Sequence, residues 1–386
     1  MRRILAGIVL ALSSIGAIAQ PYPNKPIRMI VPYPPGGGTD ALGRIMSERL
    51  ADRLGVAVVV ANVPGGSGTV GSEQVRRAEP DGYTLLFNAS LFLMGKNVVK
   101  ATPYDPLDDF TALGRVGQAP LLIIASSKVE AANLADLVKA VRANPAGFNM
   151  AISGLGAAGH LGSLEFMRLT GTNLQAIPYK GTNPALADVM GGSVQLMIDA
   201  ATALLPQTKG GRVRGMAITS ATRNKAYPDI PTTVEAGMPE LTMASWYGVW
   251  GPKGLPAPVA GRLTSAIAEG VRQPEFAARI EAAGIVPGYL DPTAFVEFMR
   301  GDLVKSVQLL KAANFQPEYS SRTVRAARRS HCRLAAVSGV AKGNPHQAGA
   351  LRTRIDPRLL VAHRHPTIFA GTLIAGVTGL DRISRR

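Results

Sequence analysis

Three glycine-rich stretches in this sequence combine residue types suited to holding a small anion. They read VPYPPGGGTD (residues 31–40), PGGSGTVG (residues 64–71) and GLGAAGH (residues 154–160). Each follows an apolar run and precedes residues at helical spacing, which puts pliant backbone at the start of a helix. A helix N-terminus carries unpaired N–H groups and a partial positive charge. Glycine lets a ligand come close to that backbone. The expected chemistry is capture of a phosphate or a carboxylate without help from an arginine.

The phosphate readings lack their remaining parts. GLGAAG fits the GxGxxG spacing after a strand, but the ribose-binding acid expected some 20 residues on is replaced by Ile177-Pro178-Tyr179-Lys180. No GxxxxGK[ST] occurs. HExxH, GxSxG, SxxK and any Cys/His cluster are also missing, so no metal and no cofactor is expected. His160 is the only histidine before the C-terminal tail. It could serve as a general base beside Ser153 or Ser163, or it could cap a helix or line a site. Asp40 reads most simply as a helix N-cap holding the first loop open. Asp199 closes an apolar run and could meet a ligand amine or hydroxyl, or cap the helix after it. Tyr179 suits pocket lining and plain packing equally. Trp246 and Trp250 flank YGV, where hinge packing competes with ligand stacking.

The elements that must position these residues alternate. IRMIVPY reads as a buried strand, and DALGRIMSERLADRLG as a helix with Leu42, Ile45, Met46, Arg49, Leu50 and Leu54 on one face and Gly55 as its stop. VAVVVANV is a strand, a short helix runs through Glu73 to Arg77, and PDGYTLLFNAS is a turn and a strand. The grammar then repeats: strand APLLIIAS, helix NLADLVKAVRANP, strand FNMAIS, helix HLGSLEFMRLTG, then strands NLQAIPY, VQLMIDA and RVRGMAITS. Two α/β units with mainly parallel strands follow, with a crossover near Ala119 and Pro120. From Pro256 the chain turns helical and is expected to pack on a flank of the first sheet.

Bulk properties narrow the classes further. The chain has 386 residues, 46% hydrophobic and 18% charged, with a net charge of +16. That charge is not spread evenly. Residues 319–386 hold 13 Lys and Arg against 2 Asp and Glu, whereas residues 20–318 hold 27 against 24. The body is nearly neutral, and nucleic-acid binding is not expected of it. The basic tail, with no Glu and four of the five His, reads either as a disordered nucleic-acid or membrane-binding extension or as the product of a shifted frame or lost stop. Arg2 and Arg3, an apolar run over residues 4–18 and the Ala17-Ile18-Ala19 pattern read as a secretory signal cleaved after Ala19. The sole cysteine, Cys332, lies in the tail, so the exported body is expected to stand on its core without disulfides.

The order QPYPNKPIRMIVPYPPGGGTD, VPGGSGTVG, PDGYTLLF, SGLGAAGHL, IPYKGTNPALADVMGGSVQLMID and SWYGVWGPKGLPAPV resembles the Bug family, periplasmic substrate-binding proteins of tripartite tricarboxylate transporters. The resemblance covers residues 1 to about 318. It implies an α/β, two-domain periplasmic-binding-protein architecture, type II-like, with a ligand cleft between the domains. Domain 1 would comprise residues 20–120 plus 245–318, and domain 2 residues 121–244. It implies an extracytoplasmic receptor, not an enzyme, monomeric in the periplasm, that passes a small organic carboxylate to membrane permease subunits. Carried over residue by residue, the ligand contacts would be Tyr33, Gly36, Gly37, Thr39 and Asp40 from the first loop, Gly66, Ser67 and Thr69 from the second, and Ser90 after the third strand. Ser153, Gly156, His160, Tyr179, Gly181 and Asp199 would form the opposite wall. Pro35 and Gly38 depart from the family pattern, and the tail has no counterpart in it. A secreted enzyme using His160 and a nucleic-acid binder using the tail are the competing readings.

Overall fold

The computed structural model describes residues 22–319 except Ala101 and Ala226. The expected signal segment, residues 1–19, and the basic tail beyond Tyr319 lie outside the described residues. The described part falls within one contact-defined unit, residues 1–321. Its strands are β1 (Ile27–Val31), β2 (Val58–Asn62), β3 (Thr84–Ala89), β4 (Val99–Lys100), β5 (Phe110–Ser126), β6 (Asn149–Ile152), β7 (Gln175–Pro178), β8 (Leu196–Ala200), β9 (Val213–Ile218), β10 (Ala244–Pro252), β11 (Val286–Leu290) and β12 (Glu318–Tyr319).

One sheet of ten strands runs β2-β1-β3-β10-β5-β8-β6-β7, with β9 and β11 also paired to β5. β1 pairs with β2 and β3 in parallel, and β6 with β7 and β8 in parallel. β10 and β5 run antiparallel through the middle. Near-continuous apolar strands such as IRMIV are what a sheet covered on both faces requires. In β5, Leu121 and Ile123 enter one core and Leu122 and Ile124 the core on the other face.

β5 joins the two ends of this sheet. From Phe110 to Pro120 it pairs with β10, and from Leu121 to Ala125 with β8. The hydrophobic side chains separate at the same point. Met29, Leu42, Phe87 and Tyr247 gather at one end, with a second aromatic cluster of Trp246, Trp250, Phe92 and Phe295. Met150, Phe166, Ile198, Leu186 and Leu204 gather at the other. Trp246 and Trp250 are fully enclosed, and the Trp246 indole N–H donates to Asp302 at 2.9 Å. Of the two roles open to these tryptophans, packing is therefore the observed one.

The sequence marks β5 only from Ala119, whereas it begins nine residues earlier. Register shifts between Tyr247 and Gly248 and between Val249 and Trp250 interrupt its pairing with β10. Such irregularities break the two-residue alternation by which a strand is recognised. The first helix, Gly38–Leu54, forms as its spacing predicts: Leu42, Met46, Leu50 and Leu54 are buried, and left-handed Gly55 ends it by donating to Ala51.

Candidate ligand-binding cleft

Five strands with parallel partners hand their C-terminal ends to the same cavity, where open α/β sheets bind ligands; β2, a parallel edge strand, does not. β1 leads to Gly37, Gly38 and Thr39; β3 to Ser90 and Leu91; β6 to Ser153, Gly154 and Ala157; β7 to Lys180, Gly181 and Thr182; β8 to Asp199, Ala200 and Thr202. Ser245 and Tyr247 of β10 complete the wall, and the cavity measures about 270 Å³. That volume suits a small molecule rather than a polymer.

Four helices begin at this cavity: Gly38–Leu54, Ala158–Thr170, Thr182–Gly191 and Ala201–Lys209. None has a side chain bonded to its first-turn amides from the N-cap, which are Gly37, Ala157, Gly181 and Ala200. Of the helices that start elsewhere, two carry such caps, Asn133 and Asp291, while Thr69–Arg76, Ala257–Val271 and Pro274–Ala282 do not, so it is the convergence of the four starts that sets the cavity apart. Uncapped starts converging on a cavity concentrate N–H donors and positive potential there, the conditions for anion binding. Lys180, an exposed residue, is the one Lys or Arg among the described residues that line it.

The first loop has a distinct task for each glycine. Gly36 adopts φ +86°, which a side chain resists. A Cβ at Gly38 would lie 2.9 Å from Thr202 Oγ1, so the two ends of the sheet approach closely here. Gly37 has an ordinary extended backbone, and a Cβ there would meet nothing within 4 Å. Asp40 is not the N-cap that the sequence suggests; Gly37 is. Asp40 sits in the first turn and reaches back, accepting the Gly36 N–H at 2.9 Å, the Arg44 Nε–H at 3.0 Å and the Asn62 amide at 2.8 Å. Burial raises its pKa, but these bonds and the Arg44 charge outweigh burial and hold the carboxyl below its usual range.

Of the residues expected to touch ligand, Tyr33, Gly37, Thr39, Ser90, Ser153, Gly181 and Asp199 line the cavity together. The Tyr33 hydroxyl is committed to Asn88 at 2.9 Å, which leaves its ring as the lining surface. The Ser90 Oγ is buried without a hydrogen-bond partner. Gly36, Asp40, Gly66, Ser67, Thr69, Gly156, His160 and Tyr179 stand outside the lining. Gly66 and Thr69 close a tight turn through the Thr69 hydroxyl, which donates to the Gly66 carbonyl at 2.8 Å, and Ser67 between them adopts φ +54°. Tyr179 donates to Asp188 at 2.6 Å. His160 accepts the Gly156 N–H on Nδ1 at 3.0 Å and packs edge-on against Phe315. Burial pushes its pKa down to about 4, so it is neutral at pH 7.

Sequence reasoning missed Thr202, Ser245, Tyr247, Lys180 and Gly154 as lining residues. Thr202 carried one usable signal, its position just after an apolar strand ending in Asp199. Its Oγ1 is buried, and it lies near enough to the Tyr247 hydroxyl to oppose the rise that burial causes in the Tyr247 pKa. Among the described residues no helix is long and apolar enough to cross a membrane.

Comparison with known proteins gives one answer. Residues 42–315 match the model of the tripartite tricarboxylate transporter family receptor. Protein BugT of Bordetella pertussis is 35% identical over 298 residues, covering 76% of this chain and 91% of BugT. Among solved structures, the periplasmic binding protein BugD superposes with a TM-score of 0.71 at 35% identity over 77% of this chain and all of BugD. A Rhodopseudomonas palustris protein solved with adipate gives 0.73 at 30% identity, over 77% of this chain and 100% of that one. MatC of the same species, solved with malate, gives 0.66 at 25% identity, over 75% and 100%. The fold is thus the mixed α/β architecture of periplasmic binding proteins.

Proposed function

The chain belongs to the tripartite tricarboxylate transporter receptor family, and on that premise we propose that it is a solute receptor that binds a small organic carboxylate in the cleft and delivers it to membrane permease subunits. The observation that carries the reading is the convergence of four helix starts, none with a side-chain N-cap, on one cavity of about 270 Å³. Amides of Gly37, Gly38 and Thr39 hold the carboxylate, with ordered water completing its shell. Gly181, Ser153 and Asp199 face the remainder of the ligand, Ser90 offers a hydroxyl that has no hydrogen bond among the described residues, and Thr202 offers a second beside Tyr247. Relatives solved with adipate and with malate support carboxylate as the class.

Residues 20–120 with 245–318 form one lobe and residues 121–244 the other, and the chain passes between them at Pro120–Leu121 and Ala244–Ser245. Bending at these two neighbouring strands opens and closes the cleft. The receptor acts as a monomer after export and cleavage behind Ala19. Catalysis plays no part: His160 spends its basic nitrogen on Gly156 and stands behind the cleft wall. A thermal-shift screen of C3–C6 carboxylic acids tests the reading. At least one acid at a hundred times its Kd raises the unfolding free energy by about 2.7 kcal/mol, with a matching rise in Tm. A flat screen contradicts it.

A further inference from the structure

Asp199 is the one Asp or Glu among the described residues that line the cleft. It is 7% exposed, and among the described residues no Lys or Arg forms an ion pair with it. Oδ1 accepts the Ala200 N–H at 2.8 Å and Oδ2 accepts the Thr182 hydroxyl at 2.8 Å. The Ser153 hydroxyl also lies within reach of the carboxylate, and burial outweighs all three bonds and raises its pKa. A carboxylate offers about four acceptor positions, so about one is uncommitted. A buried charge is costly unless paired or fully hydrogen-bonded.

Its location gives the cost a purpose. Ala200 is the N-cap of Ala201–Lys209, and Thr182 opens Thr182–Gly191. A Cβ on Gly159, in the first turn of Ala158–Thr170, would lie 3.2 Å from Asp199 Oδ1. One carboxylate therefore stands among the three helix starts that line the far wall. It offsets part of the positive potential of those three starts. The start of Gly38–Leu54, across the cavity, has no such occupant: Asp40 there faces back to Gly36, Arg44 and Asn62. The cleft has an anion-accepting end and a donor-accepting end.

Resting on the carboxylate-receptor reading, we propose that Asp199 selects ligands that carry a hydroxyl or ammonium donor remote from the anchored carboxylate. The ligand class is small hydroxy- or amino-carboxylic acids, in preference to acids of the same skeleton without a donor. Ligand binding then adds a donor at the acceptor position that Ala200, Thr182 and Ser153 leave open.

The test uses matched acids on the mature protein: succinate, malate and aspartate, and propionate, lactate and alanine, each titrated by calorimetry into wild type and Asp199→Asn. In wild type the best donor-bearing acid of a binding set binds at least about tenfold tighter than its plain partner, because an unmet bond to a buried charged acceptor is expensive. In Asp199→Asn the ratio falls to about threefold or less, and succinate gains affinity once the like charge is gone. Equal wild-type affinities within a set, or a ratio unmoved by the substitution, overturn the proposal while carboxylate binding itself stands. Absence of heat from all six acids beside a C3–C6 acid without a donor that raises Tm overturns the proposal alone, and beside a flat thermal screen it overturns the receptor reading as well. Should Asp199→Asn fail to fold, the wild-type ratio decides alone.

Discussion

The first and third glycine loops meet one structural demand with side chains of different charge. In each, a glycine with positive φ (Gly36 at +86°, Gly156 at +77°) gives its N–H to a side chain four residues on. The acceptor is Asp40 Oδ2 at 2.9 Å in one and His160 Nδ1 at 3.0 Å in the other. Both acceptors are third in their helices, so each ties down the loop from outside and leaves the first-turn amides for the cleft. Asp40 is an ion paired with half-exposed Arg44, whereas His160 is neutral and packed on Phe315. The brace thus requires an acceptor rather than a charge. Two loops of unrelated composition reach the same geometry because the backbone demand is the same.

The strongest way to break the comparison is to fill the place that both braces keep clear. Gly37→Val introduces a side chain where a Cβ meets nothing and φ is ordinary, so folding is unaffected and the cavity wall grows inward. Ligand affinity should fall at least about 1,000-fold, some 4 kcal/mol, by calorimetry, with Tm within a few degrees of wild type. Retained affinity would show that the first loop does not hold the carboxylate.

Next in size is the pH response of the neutral brace. The His160 pKa falls from 6.5 to about 4 on folding, so between these values the unfolded chain binds the extra proton. Stability contributed by this residue is full above about pH 6.5 and lost as pH drops through the native value, up to about 3 kcal/mol. Urea unfolding from pH 7 to pH 4 measures it, and His160→Gln, which keeps an acceptor, flattens that slope. An unchanged slope in the variant would place the effect elsewhere.

The smallest effect sharpens the charged brace. Asp40→Ala leaves the Gly36 N–H without its partner and should cost about 1–2 kcal/mol, while Asp40→Asn keeps an acceptor and costs less. The Asp40 carboxyl titrates lower in the native state, so its contribution is present above about pH 3.9 and disappears as pH falls through the native value. Equal losses in both variants would mean that the charge, not the acceptor, holds the loop.

Much of this was legible in the residues. The strand, glycine loop and helix order placed Gly37, Ser90, Ser153 and Gly181 at strand ends, and strand ends are where the cleft forms. What escaped notice depends on pairs distant in sequence. Nothing near Asp40 announces that it turns back to Gly36 and Asn62 instead of capping its helix. Tyr247 and Ser245 reach the wall through the pairing of β10 with β5, which no local pattern encodes. Thr202 enters because the Gly38 backbone approaches it, a contact across 164 positions.

Amide NMR tests the central claim most directly, since the account assigns the carboxylate to particular N–H groups. Titrating the mature protein with the tightest acid from the thermal screen, the amides of Gly37, Gly38 and Thr39 should show the largest downfield proton shifts. Those of Thr293 and Ala294, already occupied by the Asp291 cap, should stay fixed. Large shifts confined to other residues, with Gly37, Gly38 and Thr39 unmoved at saturation, would contradict it.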